Sequence, residues 1–450
     1  MTALREAVCV IPNRLYYVAL SSTPPASMAI EAHFLTIDFT LVYWNFFRDF
    51  GACRSSCATE LREATGSTPS LAGPLCLSDL FQFCQIINMR LEEPALRGKK
   101  IYLYSSPDPE KRANVVTLLC CYAVIYGGKK PKAAYAPFRT GDAFKPFHDA
   151  SPHACTFNLT VLDCCSAVYK AKECGLFDFD TFNLRECMYY EQVENGDLNW
   201  GLADGYSTLL PEDYLECCQR AELTRICLAP SLSRRYFKTK RVRTILRLNK
   251  KYYSAARFQK HGIKVIDMYY KDGAVQPMAI LQQFILACET ATSAIGVHCK
   301  AGLGRTGTCL GAYIMKHYGF TAAEAIGWIR ICRPGSIIGP QQHFLAAVQA
   351  QMWAEGDEWR RRRAATASKP PPGVSAELAA RLSALAVTET TGAASATPSL
   401  AARPLVKAAA LEPDRSNQAA GLLASRRGSP SGGKRGSPRP EPGVRTTLTG

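Results

Sequence analysis

The run Val297-His298-Cys299-Lys300-Ala301-Gly302-Leu303-Gly304-Arg305-Thr306-Gly307-Thr308 constrains this chain more than any other stretch. Apolar residues leading into it (Ala294, Ile295, Val297) read as the end of a buried strand, and Thr308 through Tyr318 as a helix. A loop that passes from a strand into a helix N-terminus aims several backbone N–H groups at one centre, and the helix dipole adds positive potential. Gly302 and Gly304 accept the backbone conformations that such a cradle needs. Arg305 supplies a planar, two-pronged donor that matches two phosphate oxygens. Cys299 then lies beneath the phosphorus, where the same field favours a thiolate.

The backbone of Lys300, Ala301, Gly302, Leu303 and Gly304 is therefore the candidate phosphate ligand. His298 is placed to orient the loop, and the Thr306 hydroxyl to hydrogen-bond the sulfur. The implied chemistry is attack of sulfur on a phosphate ester, giving a phosphocysteine. A buried, inert thiol is the commoner fate of one cysteine among nineteen. The two glycines, the flanking His and Thr, and the strand-to-helix context weigh against that here.

Breaking a phosphate ester also requires a proton for the departing oxygen. Asp272 lies in the Gly/Pro-punctuated segment Tyr270-Lys271-Asp272-Gly273-Ala274-Val275-Gln276-Pro277, after the strand Lys264–Tyr269. A mobile loop there would swing this carboxyl over the cradle. Downstream, Gln341 and Gln342 sit at a turn before the last helix, where two neutral amides would place the water that hydrolyses the phosphocysteine. Neither proposal calls for a metal or another cofactor.

The first half repeats this plan. Lys100–Ser105 reads as a strand, and Ser106 to Arg112 has the six-residue step of Cys299 to Arg305. Both helices that follow correspond, so the chain reads as an internal duplication of one α/β unit. The first copy is not catalytic: serine replaces cysteine, and Pro107 and Pro109 remove amide donors. Ahead of it, two strands within Val8–Ser21, a strand over His33–Ile37, a helix-like run at 41–47, a loop over 51–74 and a helix capped by Ser78 are expected. The segment 186–200 is acidic and aromatic; residues 201–237 are hard to place, and 201–206 make a poor strand where one is due.

Nineteen cysteines without a repeated Cys-x2-Cys spacing suit a reducing compartment with free thiols. No apolar run reaches the length of a membrane span, and the first residues lack a signal-peptide block. Of the formal charge of +16, ten belong to residues 360–450, which carry fifteen Lys/Arg against five Asp/Glu. This basic tail is rich in Ala, Pro, Ser and Gly and is expected to be disordered. Arg426-Arg427 and Lys434-Arg435 suit an import receptor. Leu378, Leu382, Leu385 and Val387 have export-signal spacing, although a short amphipathic helix is the simpler reading. Ser429-Pro430 and Ser437-Pro438 are sites for proline-directed kinases.

With these features in view, the chain resembles the CDC14 family of dual-specificity protein phosphatases over residues 10–360. The carrying stretches are His298 through Thr308, Tyr313 through Tyr318, Arg330 through Leu345, Val193-Glu194-Asn195-Gly196-Asp197, Lys111 through Asn114 and Arg247 through Lys251. The resemblance implies two tandem α/β phosphatase-like domains, 1–197 without a nucleophile and 198–360 catalytic, followed by the tail 361–450. It implies Cys299 as nucleophile, Arg305 as phosphate ligand and Asp272 as general acid. It further implies phosphoprotein substrates with Ser/Thr-Pro sites made by cyclin-dependent kinases, and phosphotyrosine. A basic residue nearby would be read by an acidic groove to which Glu191 and Asp197 correspond. Met188 stands where that groove has another acid. A nuclear and cytoplasmic distribution, including nucleolus, spindle or centrosome, and roles in cell division or at cilia follow from the same likeness. Nucleic acid is not an expected substrate. Two other readings are a phosphoinositide phosphatase and an inactive phospho-binding scaffold. Leu303, where lipid enzymes carry a lysine, argues against the first. Retention of Cys299, Arg305 and Asp272 together argues against the second.

Overall fold

A computed structural model describes residues 6–21, 32–36, 73–139, 143–151, 156–191, 198–200, 208–210 and 236–367. The expected helix at 41–47, most of the loop 51–74, Asp197, most of 201–237 and the tail signals lie outside the described residues.

Two sheets carry the duplication. The first contains β1 (Val8–Ile11), β2 (Leu15–Ala19), β3 (Ala32–Thr36) and β4 (Lys100–Ser105) in the order β1-β2-β4-β3. β1 and β2 form an antiparallel hairpin, and β4 runs parallel between β2 and β3. Asn13 turns the hairpin at φ 60°, a left-handed conformation that asparagine tolerates better than most residues. The second sheet contains β5 (Asn199–Trp200), β6 (Thr208–Leu210), β7 (Thr244–Arg247), β8 (Lys264–Asp267) and β9 (Ile295–His298) in the order β5-β6-β9-β7-β8. Again an antiparallel pair leads into parallel strands, and the last strand enters the middle. β1, β2, β4 and β3 thus match β5, β6, β9 and β7, and β8 is the addition.

Each central strand feeds a buried helix. β4 leads into α2 (Pro109–Ile125), after α1 (Leu77–Glu92). α3 (Pro131–Tyr135), α4 (Val161–Glu173) and α5 (Leu184–Tyr190) complete the first half. In the second half, α6 (Ala256–Gln259) and α7 (Met278–Glu289) precede β9. Then come α8 (Gly304–Tyr318), α9 (Ala322–Cys332) and α10 (Pro340–Ala367). All four residues of β9 are buried, as expected for a parallel strand covered on both faces.

The two halves share one apolar core. They meet where α9 crosses α4: a Cβ built on Gly327 would lie 3.3 Å from the Ala167 methyl, a tight contact that glycine relieves. α10 passes the expected boundary at 360 and continues to Ala367. Arg360 extends it by binding the carbonyls of Lys316 and His317, each at 3.2 Å, and Arg362 pairs with Glu358 at 2.7 Å. The cap of α1 differs from expectation as well. Cys76, not Ser78, holds the N-cap position, with its own N–H and thiol donating to Asp79.

Candidate active site

β9 ends on His298 and α8 begins on Gly304, so the intervening loop is the strand-to-helix bend read from the sequence. Cys299 is 2 % exposed and a free thiol. Gly302 turns at φ 68°, in the region where a Cβ costs about 1 kcal/mol or more. The N-cap residue of α8 is Leu303, which offers no side-chain acceptor. The first amides of α8 are therefore left without a side-chain cap, and an uncapped helix start is an anion site.

Arg305 is buried at 2 % exposure and clamped on one side. Its Nη1 donates to the carbonyls of Tyr270 at 3.0 Å and Leu248 at 3.3 Å. The opposite edge of the guanidinium is formed by Nε and Nη2. Among the described residues, Nε is buried without a partner, and Nη2 meets Asp272 Oδ1 at 3.1 Å. Nε is thus open to a ligand oxygen, and Nη2 becomes so once a second oxygen takes the place of Asp272. The Asp272 side chain is 63 % exposed yet lies within ion-pair distance of Arg305, so this carboxylate reaches the arginine without the expected swing. Its loop is tied down around it. Tyr270 Oη donates to the Arg305 carbonyl at 3.4 Å, the Cys309 thiol to Gln276 Oε1 at 3.4 Å, and Gln341 Nε2 to the Ala274 carbonyl at 3.3 Å.

His298 is fully buried behind Cys299. Its Nδ1 lies 3.2 Å from the Cys299 carbonyl, which can only accept, so the ring proton is on Nδ1. Nε2 then accepts from Tyr253 Oη at 2.8 Å. Burial, aided by the charges of Arg247 and Arg305, pushes the imidazole pKa down to about 4. His298 is thus a neutral brace for the loop.

The two glutamines part company. Gln341 lies against Gly304, where a Cβ would come within 2.8 Å of its Oε1. It is therefore beside the cradle as expected. Gln342 is not available to place water. Its Nε2 donates to Asp149 at 2.8 Å and its Oε1 accepts from Arg330 at 2.6 Å. Gly339 N also donates to Asp149, at 2.5 Å. Burial raises the Asp149 pKa, yet hydrogen bonds from Ser151 and Gly339 and the Arg330 charge hold it below the usual carboxylate range. This cluster fixes the turn that delivers Gln341.

Thr306 is fully buried, but its Oγ1 makes no hydrogen bond, so the expected bond to sulfur is not formed. Lys300 and Ala301 are exposed at the mouth, and Gly302 and Leu303 are buried beneath it. The Leu303 carbonyl is taken by Gly307 N at 3.0 Å and Ile337 N at 3.3 Å.

Glu191 does not line an open groove. It is 7 % exposed and accepts from Ser78 Oγ at 3.2 Å and Asn199 Nδ2 at 3.0 Å. Asn199 Oδ1 accepts from Arg333 Nη1 at 2.7 Å, and Arg333 Nη2 donates to the Ala301 carbonyl at 3.3 Å. A relay therefore runs from α1 of the first half to the phosphate loop of the second. In a trans peptide the C=O and the following N–H point in opposite directions. Fixing the Ala301 carbonyl on Arg333 therefore also fixes the direction of the Gly302 N–H. Asn199, Arg333, Tyr253 and Tyr270 are contributors that sequence reasoning missed. Arg333 alone carried a signal, as a lone arginine before Pro-Gly close to the last helix.

The corresponding loop of the first half is closed by its own side chain. Asp108 caps α2, accepting from Glu110 N at 3.0 Å and Lys111 N at 2.9 Å. A carboxylate stands where the second loop leaves its amides uncapped. Ser106 stands at the cysteine position of this loop.

A buried cysteine under an uncapped helix start, a clamped arginine with an unpartnered Nε and a carboxylate beside it define the site of a cysteine-dependent phosphatase-type α/β protein. Residues 9–63 and 72–171 match the family described as dual specificity protein phosphatase, N-terminal half, and residues 232–351 match dual specificity phosphatase, catalytic domain. The chain is 43 % identical over 355 residues to the dual specificity protein phosphatase CDC14AB of Danio rerio, covering 78 % of this chain and 53 % of that one. It is 41 % identical over 358 residues to CDC14B of Mus musculus, covering 78 % and 67 %, and 41 % identical over 358 residues to CDC14C of Homo sapiens, covering 78 % and 73 %. It thus spans about half the length of the A-type relative. The chain belongs to the CDC14 family of dual-specificity phosphatases.

Proposed function

We propose that this chain hydrolyses phosphoserine and phosphothreonine followed by proline, and phosphotyrosine, in protein substrates through a phosphocysteine. The observation that carries this reading is the Arg305 guanidinium, clamped by two carbonyls on one side with its Nε buried and unpartnered on the other. In the first step the Cys299 sulfur forms a bond to phosphorus while the ester P–O bond breaks, and Asp272 gives its proton to the departing oxygen. In the second, water placed beside Gln341 forms the new P–O bond, the P–S bond breaks, and Asp272 takes the water's proton. Arg305 and the inward amides hold the charge that builds on the equatorial oxygens throughout.

The Ser/Thr-Pro preference, the cell-division role and a nuclear and cytoplasmic location rest on likeness to the family, and import and export receptors rest on the basic pairs and leucine spacing of the tail. So does the division at residues 197/198. With Glu191 buried, any acidic groove for a nearby basic residue depends on Asp197 and its neighbours. The test is hydrolysis of a Ser(P)-Pro-x-Lys peptide, of its Ser(P)-Ala-x-Lys counterpart and of a phosphoinositide, with Cys299→Ser as control. The Ser(P)-Pro peptide should be the best substrate and the Cys299→Ser variant inactive. Equal rates on the two peptides would remove the proline preference, and faster turnover of the lipid would replace the substrate class.

A further inference from the structure

We propose that a cavity at the carboxyl ends of β7 and β8 is a second anion subsite, which seats a phosphorylated or acidic side chain of the same polypeptide whose phosphate enters the Cys299 loop. The inference rests on the phosphatase reading above and adds a substrate feature to it.

The cavity is a wide, solvent-open depression of about 720 Å³, lined by Arg247, Lys251, Tyr252, Tyr253, Arg257 and Asp267. Three cations thus face one carboxylate. That carboxylate is already claimed: Arg247 Nε donates to one oxygen at 2.6 Å and Lys251 Nζ lies 3.2 Å from the other. Arg247 is further fixed, with Nη1 donating to the Tyr253 carbonyl at 2.6 Å and its guanidinium 4.3 Å from the Tyr253 ring centre. Asp267 therefore balances the rigid Arg247 at the floor. The lip keeps excess positive charge in Lys251, whose side chain is 73 % exposed, and in the exposed Arg257. Tyr252, 42 % exposed, offers a ring against which a peptide can lie.

Position argues for a subsite of the same substrate. Arg247 stands opposite His298 across β7 and β9, and Asp267 stands opposite Arg247 across β7 and β8. One to two strand spacings, about 5–10 Å, separate the cavity from the head of the phosphate loop. An extended chain advances about 3.3 Å per residue, so the second anion belongs roughly two or three residues from the hydrolysed one. The two sites share a wall, since Tyr253 reaches His298 on one side and lines the cavity on the other.

The test uses three peptides of one sequence. Each carries one phosphoserine, and two or three residues away either a second phosphoserine, a glutamate or an alanine. Affinity for each is measured on the Cys299→Ser protein, and kcat/KM on the active protein. The doubly phosphorylated peptide should bind about five- to tenfold better than the alanine peptide, and the glutamate peptide about two- to threefold better. A Lys251→Ala/Arg257→Ala double variant should bind all three alike, with p-nitrophenyl phosphate turnover unchanged. Equal affinities on the intact cavity, or a preference that survives the double variant, would overturn the proposal. Failure of the phosphatase reading would show separately, as no turnover of any peptide, and the affinities would still decide the subsite.

Discussion

Replacing Asn199 with alanine isolates the link between the two halves. The substitution removes the 2.7 Å bond from the Arg333 guanidinium and the 3.0 Å bond to Glu191. A hydrogen bond to a charged group contributes about 1.5–3 kcal/mol, so a loss of stability of that order is expected. The effect on the reaction has another source. Without Asn199, Arg333 is no longer held on line for the Ala301 carbonyl, and the direction of the Gly302 N–H in the loop is no longer fixed. Loss of one donor to a developing oxyanion costs about 10²–10³ in rate, and a donor that is loosened rather than deleted should cost less, roughly 10–100-fold. That range corresponds to about 1.4–2.7 kcal/mol of transition-state stabilisation. The assay is kcat/KM on p-nitrophenyl phosphate alongside the dissociation constant of orthovanadate, both at a temperature where melting shows the variant folded. Both should weaken together, although Asn199 touches neither ligand. A folded Asn199→Ala protein with kcat/KM and oxyanion affinity within twofold of the parent would refute the argument that the first half sets the loop.

Three further outcomes are expected. Asp272→Ala should slow hydrolysis of phosphoserine peptides by about 10²–10⁴, but p-nitrophenyl phosphate far less, because that leaving group needs no proton; equal losses on both would remove Asp272 as the acid. Burial holds His298 at about 4 against an ordinary 6.5. The unfolded chain therefore takes up that proton first, and the contribution to stability is whole above about pH 6.5 and falls by about 3 kcal/mol as the pH approaches 4. Urea unfolding of a His298→Asn variant over that window should show a correspondingly flatter slope, and an unchanged slope would contradict the assignment. Finally, a Cβ on Gly356 would collide with the Lys316 carbonyl, a backbone atom that cannot turn aside. Gly356→Ala should therefore force α10 off α8 at a cost of about 2 kcal/mol or more, read as a lower melting temperature.

The parts of the site that were legible in the sequence are those whose chemistry is local. Cys299, the glycines and Arg305 lie within one loop, and their spacing alone specifies a cradle. Asp272 and the duplicated strand–loop–helix units were legible for a related reason, since each pairs a short pattern with the context that gives it meaning. What stayed hidden depends on partners far away along the chain. Glu191 was matched to a groove acid by its position in the family resemblance. Its place is set by Ser78 and Asn199, one of which is more than a hundred residues off. Ser78 in turn looked like a helix cap, but its hydroxyl is taken by that carboxylate while Cys76 holds the cap. Gln342 shares a dipeptide with Gln341 yet faces Asp149 of the first half. Asp108 was readable, as an aspartate just before a helix-starting proline, but the two flanking prolines drew the explanation for the closed first loop.

The central claim is that one sulfur carries the phosphoryl group. Acid quenching of the Gln341→Ala protein during turnover of p-nitrophenyl phosphate, followed by peptide mass analysis, tests it directly. The account predicts a phosphoryl group on the peptide bearing Cys299, bonded to sulfur and absent from the Cys299→Ser protein. A phosphoryl group on any other residue, or undiminished hydrolysis by Cys299→Ser, would contradict it.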